Sequence, residues 1–572
     1  MKSCIIVIIL SLAFAGAGFA LDLNVADRGA VGDGVTDNTA MFQKALDDVG
    51  GAGGGAVNVP AGRYRINGNL AIPKSVTLQG SYTTAPSVAN EGWMNSPGSV
   101  LFAYAGRGNY QGEPFIRLKG DTATIAGFII IYPEWNRADV PPVPYPPCIA
   151  SENTNNVTIL NCNIVNAYEA IRFIRAHRHL IRNVQGYPIW RGLYIDECYD
   201  IGRVENIHFW PFGAVYRPDD PYSKWINING TAFEFARTDW QYVTNTFCFG
   251  YGVGYKFTES KQGPCNGSFL SIGADSCRRA ILVEQASNFG LLITNGEFVG
   301  RWESTDSACV EIGPKAVAKV SFNNCSFWGP NDKCIWMRAP GAQLTAIGCN
   351  FVSWDVGMKD SPAIAVDAGN AIIQGNTFGQ GGTHVQIGKD ASSVIVIGNQ
   401  AASGLVVENK AGIRTILSAN QPPPVVLSAS EKACYTINIG SKNDEQFLKH
   451  WQGAETASEW KTKGTKRWSS SSSQFILPVL PGKKYQVTLD VNVPKYALQP
   501  GAGLYLGNKQ ILKFTKAGEA KLTGVILTST AEEISLDIRC KNWIPKDVIT
   551  GNGDTRVLGV AVRSITLKAL GK

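Results

Sequence analysis

Residues 169–200 read EAIRFIRAHRHLIRNVQGYPIWRGLYIDECYD, and one short pattern occurs twice in this stretch. A small residue, an apolar residue, any residue and a second apolar residue form AIRF at 170–173 and GLYI at 192–195. Successive side chains of a β-strand point to opposite faces. In each copy, both apolar residues would therefore face a core, and the residue between them would face solvent.

The same pattern recurs along the middle of the chain. Further copies begin at residues 213, 232, 254, 280, 309, 334, 363, 384 and 404, at intervals of 19 to 29 residues. A second column repeats with them and consists of Asn161, Asn183, Asn206, Cys325, Cys349, Asn376 and Asn399. Such short runs cannot bury their own apolar faces, so they stack as a solenoid. We therefore predict an all-β chain in which residues 21–420 form a right-handed parallel β-helix, with Ile171, Leu193, Phe233 and Ile281 in one inward stack.

The N-terminal segment carries a second, independent signature. It contains GAVGDGVTDNTAMFQKAL at 29–46, AVNVPAGRYRI at 56–66 and VTLQG at 76–80. These motifs resemble the N-terminal signature of the pectate-lyase-like, rhamnogalacturonase/epimerase-type β-helix superfamily. The resemblance implies the same parallel β-helix fold.

The first of these motifs also predicts a capping helix. Asp37 is a good N-cap residue, and one apolar face is formed by Ala40, Met41, Ala45 and Leu46. Such a helix would cover the open end of the solenoid, where strand edges are otherwise unpaired. The motif is neither an EF-hand, because oxygen ligands do not alternate along it, nor a phosphate loop, because no GK[ST] follows.

The first 20 residues predict export. MKSCIIVIILSLAFAGAGFA has one lysine, an apolar run and small residues up to Ala20, which is typical of a secretory signal peptide. We predict a secreted or periplasmic protein, and no later stretch is apolar for long enough to span a bilayer. Twelve cysteines follow, without a CxxC pair or a Cys/His metal spacing. Most lie in apolar runs and favour buried thiols, with one or more disulfides as the alternative.

The C-terminal part differs from the repeat in pattern and charge. QPPP at 421–424 predicts a stiff linker, and short alternating strands in residues 425–572 predict an antiparallel β-sandwich. Its end resembles the closing strands of jelly-roll modules appended to carbohydrate-active proteins, which leaves carbohydrate binding and a packing role both open. Residues 425–572 contain 21 basic and 12 acidic residues, whereas the rest of the chain is nearly balanced. This surplus suggests acidic glycans or anionic surfaces as partners, and nothing in the chain predicts nucleic-acid binding.

The residues between the two apolar positions predict a functional column on the outside of the β-helix. It consists of Arg172, Tyr194, Val215, Glu234, Lys256, Leu282, Glu311 and Trp336, with neighbours about 4.8 Å apart. Tryptophans are dense around the same repeats, and an irregular loop at 132–148 precedes them. Long loops on a rigid repeat often carry function, and aromatic rings suit sugar faces. The predicted substrate-binding residues are Arg172, Trp190, Arg191, Tyr194, Trp210, Trp240, Trp135 and Glu134, with the 132–148 loop as a roof.

Glu234 is the predicted centre of the chemistry. A glycosidase needs one carboxylic acid and one carboxylate. We predict Glu234, packed against Trp240, as general acid, Asp239 or Asp196 as the group that activates water, and Lys256 as a modulating neighbour. The alternative is that Glu234 and Lys256 form only a surface ion pair. The aspartate motifs of polygalacturonases, which share this superfamily's fold, are missing from the equivalent positions, so their mechanism does not carry over.

Three function classes remain open. We favour a secreted glycoside hydrolase that acts on a polysaccharide and needs no cofactor. A polysaccharide lyase would instead use Lys256, Arg191 or Arg172 as base and act on a uronate-containing glycan. In that case calcium could bind the carboxylates of YIDECYD, which are Asp196, Glu197 and Asp200. The third class is a non-catalytic glycan-binding or adhesion β-helix.

Overall fold

The computed structural model describes residues 20–83, 98–211, 217, 219–303, 305–401, 404–420, 427–441, 444–455 and 464–571. The predicted signal peptide up to residue 19, the linker at 421–424 and the repeat copy at 213–216 lie outside these ranges. In the part of the chain that is described, no helix is long and apolar enough to cross a membrane.

A large parallel sheet winds through most of the chain, and the predicted fold class is confirmed. One face of this β-helix, here called the site face, carries the outward column. Its paired strands are Leu70–Ile72, Ile116–Leu118, Ile149–Asn155, Glu169–His177, Arg191–Asp196, Thr231–Phe235, Val253–Phe257, Arg279–Val283, Ala308–Ile312, Lys333–Met337 and Ile364–Gln374.

The other faces are formed by shorter strands and by strands that bend from one face to the next. The strands before residue 200 are Leu21–Asn24, Asp33–Asp37, Gly55–Asn58, Gly62–Ile66, Val76–Gln79, Ser99–Ala103, Thr124–Ile131, Thr158–Val165 and Leu180–Tyr187. Those that follow are Arg203–Phe209, Gln241–Phe249, Gly267–Leu270, Gly273–Cys277, Leu291–Thr294, Glu297–Gly300, Lys319–Asn323, Ser326–Trp328, Gln343–Ile347, Asn350–Phe351, Thr377–Phe378, Val385–Ile397, Gln400–Ala401, Val407–Asn409 and Thr415–Ser418. A small hairpin joins Glu259–Ser260 to Gly263–Pro264.

The predicted inward stack is confirmed. Ile171 pairs in register with Leu193, Leu193 with Phe233, Phe233 with Tyr255, and Tyr255 with Ile281, and all five are fully buried. The Phe233 and Tyr255 rings lie 4.7 Å apart and nearly parallel. The core therefore consists of like side chains stacked along the solenoid axis, because each strand repeats the alternation of its neighbour.

One predicted member of the column cannot be placed, because Val215 and its repeat copy at 213–216 lie outside the described residues. Tyr194 pairs directly with Glu234. The helix Pro221–Asn229 lies between the strands that carry these two residues.

The asparagine column sets the bend of the strands that cross two faces. Asn161, Asn183 and Asn206 all have a positive φ, between 51° and 55°, which asparagine tolerates better than most residues. Their amides bond along the stack: Asn183 Nδ2 donates to Asn161 Oδ1 at 3.0 Å, and Asn206 Nδ2 donates to Asn183 Oδ1 at 3.2 Å. The column thus satisfies its own polar groups while it turns the chain.

The N-terminal helix spans Thr39–Gly51 and buries Phe42, Ala45, Leu46 and Val49. Ala40 is exposed, so that part of the predicted apolar face is wrong. The N-cap position is Asn38, one residue later than predicted, although Asp37 Oδ1 accepts from the Thr39 backbone at 3.0 Å. Gln43 exchanges two hydrogen bonds with the Ala71 backbone, at 2.8 and 3.1 Å. The helix therefore supplies partners to an edge strand.

The cysteines within the described residues are free thiols. Of the twelve in the described residues, all but Cys434 are buried, which confirms the buried-thiol interpretation. Burial raises the pKa of Cys162 to about 12, so this thiol is protonated at neutral pH and acts as a small apolar core residue.

Contacts divide the chain into two compact units, the described parts of 1–373, 385–395 and 409–415, and of 374–384, 396–408 and 416–572. The second unit contains an antiparallel sheet, as predicted, with a buried core that includes Phe475, Leu489 and Ile565. Its strands are Cys434–Asn438, Leu448–Glu455, Lys466–Pro478, Lys484–Val493, Gly503–Leu506, Lys509–Lys513, Gly518–Leu527, Glu533–Arg539 and Ala561–Ala569. Short helices and 3-10 turns elsewhere are Val25–Arg28, Gly412–Arg414, Ala429–Ala433, Glu445–Phe447, Lys495–Ala497 and Pro545–Val548. The predicted domain boundaries stay predictions.

A buried histidine predicts loss of stability in mild acid. His179 is fully buried, and this burial lowers its pKa to about 4, with a further decrease from the charges of His177 and Arg203. The unfolded chain would protonate His179 near its ordinary value of about 6.5. The contribution of His179 to the free energy of unfolding is therefore fully present above about pH 6.5 and decreases as the pH drops towards 4. Between pH 7 and pH 5 the loss is about 2 kcal/mol.

Urea unfolding of wild type and His179→Gln at pH 7 and pH 5 checks this prediction. The variant should lose less stability than wild type on acidification, although His208, with its pKa lowered to about 4 by burial, keeps part of the slope. Equal losses in the two proteins would show that His179 does not contribute.

Candidate active site

Glu234 lies between two neighbours in the outward column of the site face. Register pairing places Arg172 beside Tyr194, Tyr194 beside Glu234, and Glu234 beside Lys256. The predicted column is therefore confirmed for these four residues, which follow one another directly. The Glu234 side chain is only 12% exposed, because longer neighbours cover it on both sides.

Arg191 is the hub of the charges around Glu234. Its Nη1 donates to Glu234 Oε2 at 2.9 Å, and its Nε donates to Glu169 Oε1 at 2.8 Å. Lys256 Nζ lies 3.4 Å from Glu234 Oε1 and 3.4 Å from Glu284 Oε2. Burial lowers the pKa of Arg191, but the charges of Glu169 and Glu234 outweigh it and raise that pKa. The guanidinium therefore stays charged between its two carboxylates.

Glu169 and Tyr110 complete the cluster on the side of Arg172. Glu169 is fully buried and bonds to both Arg172 and Arg191. The Tyr110 hydroxyl donates to Glu169 Oε2 at 3.0 Å and accepts from Arg191 Nη2 at 3.1 Å. Burial and the Glu169 charge together raise the pKa of Tyr110. Tyr110 thus reaches the column from a loop that precedes strand Ile116–Leu118.

Aromatic rings enclose the Arg191 guanidinium. Its central carbon lies 4.6 Å from the Trp190 ring centroid and 4.2 Å from that of Tyr194. Trp190 stacks on Tyr168 at 5.3 Å and meets Tyr110 edge-on at 5.2 Å. Cation–π contacts of this kind hold the guanidinium in a fixed orientation. The structure therefore brings Trp190, Arg191 and Tyr194 of the predicted binding set together with Glu234.

Asp196 lies at the edge of the same column. The Tyr194 hydroxyl donates to Asp196 Oδ2 at 3.2 Å, and the Arg237 backbone N–H donates to Asp196 Oδ1 at 3.0 Å. Asp196 lies one strand and two positions from Glu234, which corresponds to about 8 Å between their backbone positions at normal strand spacing and rise. Burial, followed by the charges of Asp196 and Glu234, raises the pKa of Tyr194.

Asp239 and Trp240 lie beyond the end of strand Thr231–Phe235, in the turn to the next face. Asp239 Oδ1 accepts from Asn266 Nδ2 at 2.9 Å, and Trp240 is 63% exposed. Glu234 pairs with Arg191 and Lys256 rather than packing against Trp240 as predicted. The reason is that the strand ends at Phe235 and carries Trp240 away from the column.

The other predicted binding residues contact different parts of the molecule. Trp210 comes directly after strand Arg203–Phe209, which is not part of the site face, and its ring stacks on Phe249 at 4.3 Å. In the 132–148 loop, Trp135 packs on Tyr222 at 5.6 Å, and Glu134 accepts from Tyr145 at 3.5 Å.

The 132–148 loop packs mainly against other irregular segments. Its Arg137 pairs with Asp220 next to the helix Pro221–Asn229, and its Asp139 pairs with Arg107 at 3.6 Å. Arg107 belongs to the loop that supplies Tyr110 to Arg172 and Arg191. The predicted roof over the column stays a prediction.

The predicted calcium ligands do not converge. Glu197 pairs with Arg175 at 3.1 Å and Asp200 with Arg178 at 3.0 Å, whereas Asp196 bonds to Tyr194. Among the residues that the structure describes, no group of three His, Cys, Asp or Glu side chains is arranged to hold a metal ion.

Glu169 and Tyr110 were not among the predicted site residues. Glu169 had a signal, since it and Arg191 occupy the same position immediately before two consecutive repeats, and they pair in register. Tyr110 had none, because its loop, GRGNYQGEP at 106–114, has no periodic relation to the column.

Comparisons with known proteins confirm the predicted resemblance. Residues 23–116 match the family model described as rhamnogalacturonase A/epimerase, pectate lyase-like. Mannuronan C5-epimerase AlgE1 of Azotobacter vinelandii is 37% identical over 110 residues, which cover 18% of this chain and 8% of that protein. Alginate lyase 7 of the same organism is 50% identical over 48 residues, which cover 8% of this chain and 6% of that protein. The chain thus spans less than a tenth of the length of either relative.

A solved structure is also similar. The A-module of the Azotobacter vinelandii mannuronan C-5 epimerase AlgE6 aligns with 70% of this chain and 100% of that module, with 16% sequence identity and a TM-score of 0.45.

Proposed function

We propose that this protein, with its pectate-lyase-like parallel β-helix, is a secreted enzyme that hydrolyses glycosidic bonds of a polysaccharide on its site face. The similarity of its N-terminal segment to mannuronan epimerases and to an alginate lyase supports a carbohydrate-active protein. The segment that matches the family model ends at residue 116, before the strands that carry Glu234 and Asp196. The similarity therefore does not identify the substrate of this protein.

The observation that carries the proposal is the pair of carboxylates Glu234 and Asp196 on neighbouring strands. Their backbone positions lie about 8 Å apart on one face, which places two carboxyl groups close enough to flank a single glycosidic bond, as an acid and a base must. Tyr194 lies between the two, with its ring on Arg191 and its hydroxyl on Asp196. Asp239 is less suited to this role, because it bonds to Asn266 in a turn.

The contacts favour a reversal of the predicted roles. A general base must be charged and a general acid must carry a proton. Glu234 contacts two cations, which suits a base that activates water. Asp196, on the neighbouring strand, is the other carboxyl group of the pair. We therefore assign Glu234 as base and Asp196 as acid. Arg191 and Lys256 would orient Glu234, and Trp190 and Tyr194 would contact sugar rings.

A polysaccharide lyase is the second candidate. The similar proteins are a mannuronan epimerase and an alginate lyase, and both mannuronan and alginate contain uronate residues. A lyase must present a cation to the uronate carboxylate. Arg172, Arg191 and Lys256 are instead already paired with Glu169, Glu234 and Glu284. This charge balance favours hydrolysis at the Glu234 position.

Incubation of the mature protein with a panel of neutral and uronate-containing polysaccharides tests the proposal. New reducing ends without the ultraviolet absorbance of an unsaturated uronate would indicate a hydrolase, and a rise in that absorbance would indicate a lyase. The matched control is the Glu234→Gln/Asp196→Asn double variant. If it does not cleave under the same conditions, the cleavage by wild type does not come from a contaminating enzyme. Binding without any cleavage across the panel would support the non-catalytic alternative.

A further inference from the structure

A cavity of about 140 Å³ lies further along the site face than Lys256. Its lining includes Ile228, Val253, Leu282, Arg278, Arg279 and Glu311. Leu282 pairs in register with Lys256 on one side and with Glu311 on the other. The cavity therefore belongs to the same outward column as Glu234, two strands away, at a distance of about 10 Å.

The cavity has the size and lining of a site for one ring. A cavity of about 150 Å³ holds benzene, so one six-membered ring fits this volume. Ile228, Val253 and Leu282 provide an apolar wall, and Ile228 is 62% exposed although it is a large apolar residue. Arg278 and Glu311 provide polar groups. An apolar wall with a few polar groups is typical of a small-ligand site.

Positive charge exceeds negative charge around this cavity. Glu311 accepts from Arg279 Nε at 2.7 Å and from Arg338 Nη1 at 2.9 Å. Burial raises the pKa of Glu311, but the bonds to Arg279 and Arg338 outweigh it and lower that pKa. Arg278 is exposed, and its side chain has no hydrogen bond or ion pair with any described residue. Two guanidinium groups thus pair with one carboxylate, and a third guanidinium, that of Arg278, lines the same cavity. The charges around Glu234 are balanced by comparison.

We propose that this cavity is a subsite for a sugar ring that carries a carboxylate or a sulfate ester, with the anionic group paired to Arg278. The guanidinium offers two parallel donors to such a group, the ring contacts Ile228 and Leu282, and a ring hydroxyl donates to Glu311. This inference rests on the proposed function and specifies its substrate class. The polysaccharide carries an anionic residue near the cleaved bond, although the charges at Glu234 itself are balanced.

Ligand-detected saturation-transfer NMR on the full-length protein tests the subsite, with sodium glucuronate, glucose 6-sulfate and glucose as probes. Arg278→Gln removes the cation and should fold normally, because Arg278 is exposed and has no side-chain partner among the described residues. The matched control is Arg203→Gln, which removes an exposed arginine from the strand Arg203–Phe209. Comparison of the two anionic sugars identifies whether the subsite takes a carboxylate or a sulfate.

The expected result is that wild type binds at least one anionic sugar more tightly than glucose. Arg278→Gln should weaken that binding about tenfold, the effect of one lost charge-assisted pair, and Arg203→Gln should not. Equal binding of glucose and both anions, no binding by wild type, or an unchanged affinity in Arg278→Gln would overturn the proposal.

The outcome is distinguishable from that of the proposed function. Glu234→Gln should lower cleavage by roughly 10²-fold or more and leave the binding of glucuronate or glucose 6-sulfate unchanged, since Glu234 does not line the cavity. If no polysaccharide is hydrolysed but Arg278→Gln still loses the anionic sugar, the subsite stands and the hydrolase fails. If only neutral polysaccharides are cleaved and Arg278→Gln binds as wild type does, the hydrolase stands and the subsite fails.

Discussion

Glu234→Gln is expected to lower turnover of the cleaved polysaccharide by roughly 10²-fold or more while the protein stays folded. The amide keeps the shape of the side chain but can neither accept a proton from water nor carry the charge that Arg191 and Lys256 stabilise. Initial rates at saturating substrate measure the loss, and circular dichroism with a thermal melt confirms the fold. Asp196→Asn should give a loss of similar size, because the acid and the base act on the same bond.

Glu284→Gln is the matched control for this prediction. Glu284 contacts the same Lys256 at 3.4 Å, but its side chain is 45% exposed and has no contact with Arg191. Its replacement should leave turnover within about twofold, since a partly exposed ion pair contributes little. If Glu234→Gln and Asp196→Asn both kept turnover near that of wild type, the catalytic assignment would be wrong. A loss of equal size in Glu284→Gln would indicate an effect of Lys256 rather than of the carboxylate.

Glu169→Gln is expected to reduce the free energy of unfolding by about 3–5 kcal/mol, as does removal of one partner from a buried ion pair. Glu169 is fully buried and bonds to Arg172, Arg191 and Tyr110, so its loss leaves two guanidinium groups close together without their shared counter-charge. Water hydrates these groups fully in the unfolded chain, so the substitution destabilises the folded state alone.

Urea unfolding, followed by circular dichroism, measures this difference between wild type and variant. The control is Glu152→Gln, which breaks the ion pair of Arg175 with a glutamate that is 45% exposed. That change should cost no more than about 1 kcal/mol. Equal effects of the two substitutions would show that the buried pair does not stabilise the β-helix more than a surface pair does.

The alternation of apolar residues by itself determined the β-helix and the direction of most side chains. In a strand, one residue between two apolar neighbours must face outward. This rule alone assigns Arg172, Tyr194, Glu234 and Lys256 to one outward column, and the strand register confirms the assignment. The asparagine column was equally visible, because Asn161, Asn183 and Asn206 follow one another at intervals of 22 and 23 residues.

Only the tertiary structure decided which groups meet at the column. Tyr110 and Glu169 are separated by 59 residues yet share a hydrogen bond, and Arg191 joins Glu169 to Glu234 across two strands. The 132–148 loop is held in the same way, since its Arg137 pairs with Asp220, 83 residues further along the chain. Periodicity specifies which face a residue occupies, because every strand repeats the same geometry. An irregular loop has no such repeat, so its position depends on the packing of side chains that are distant in sequence.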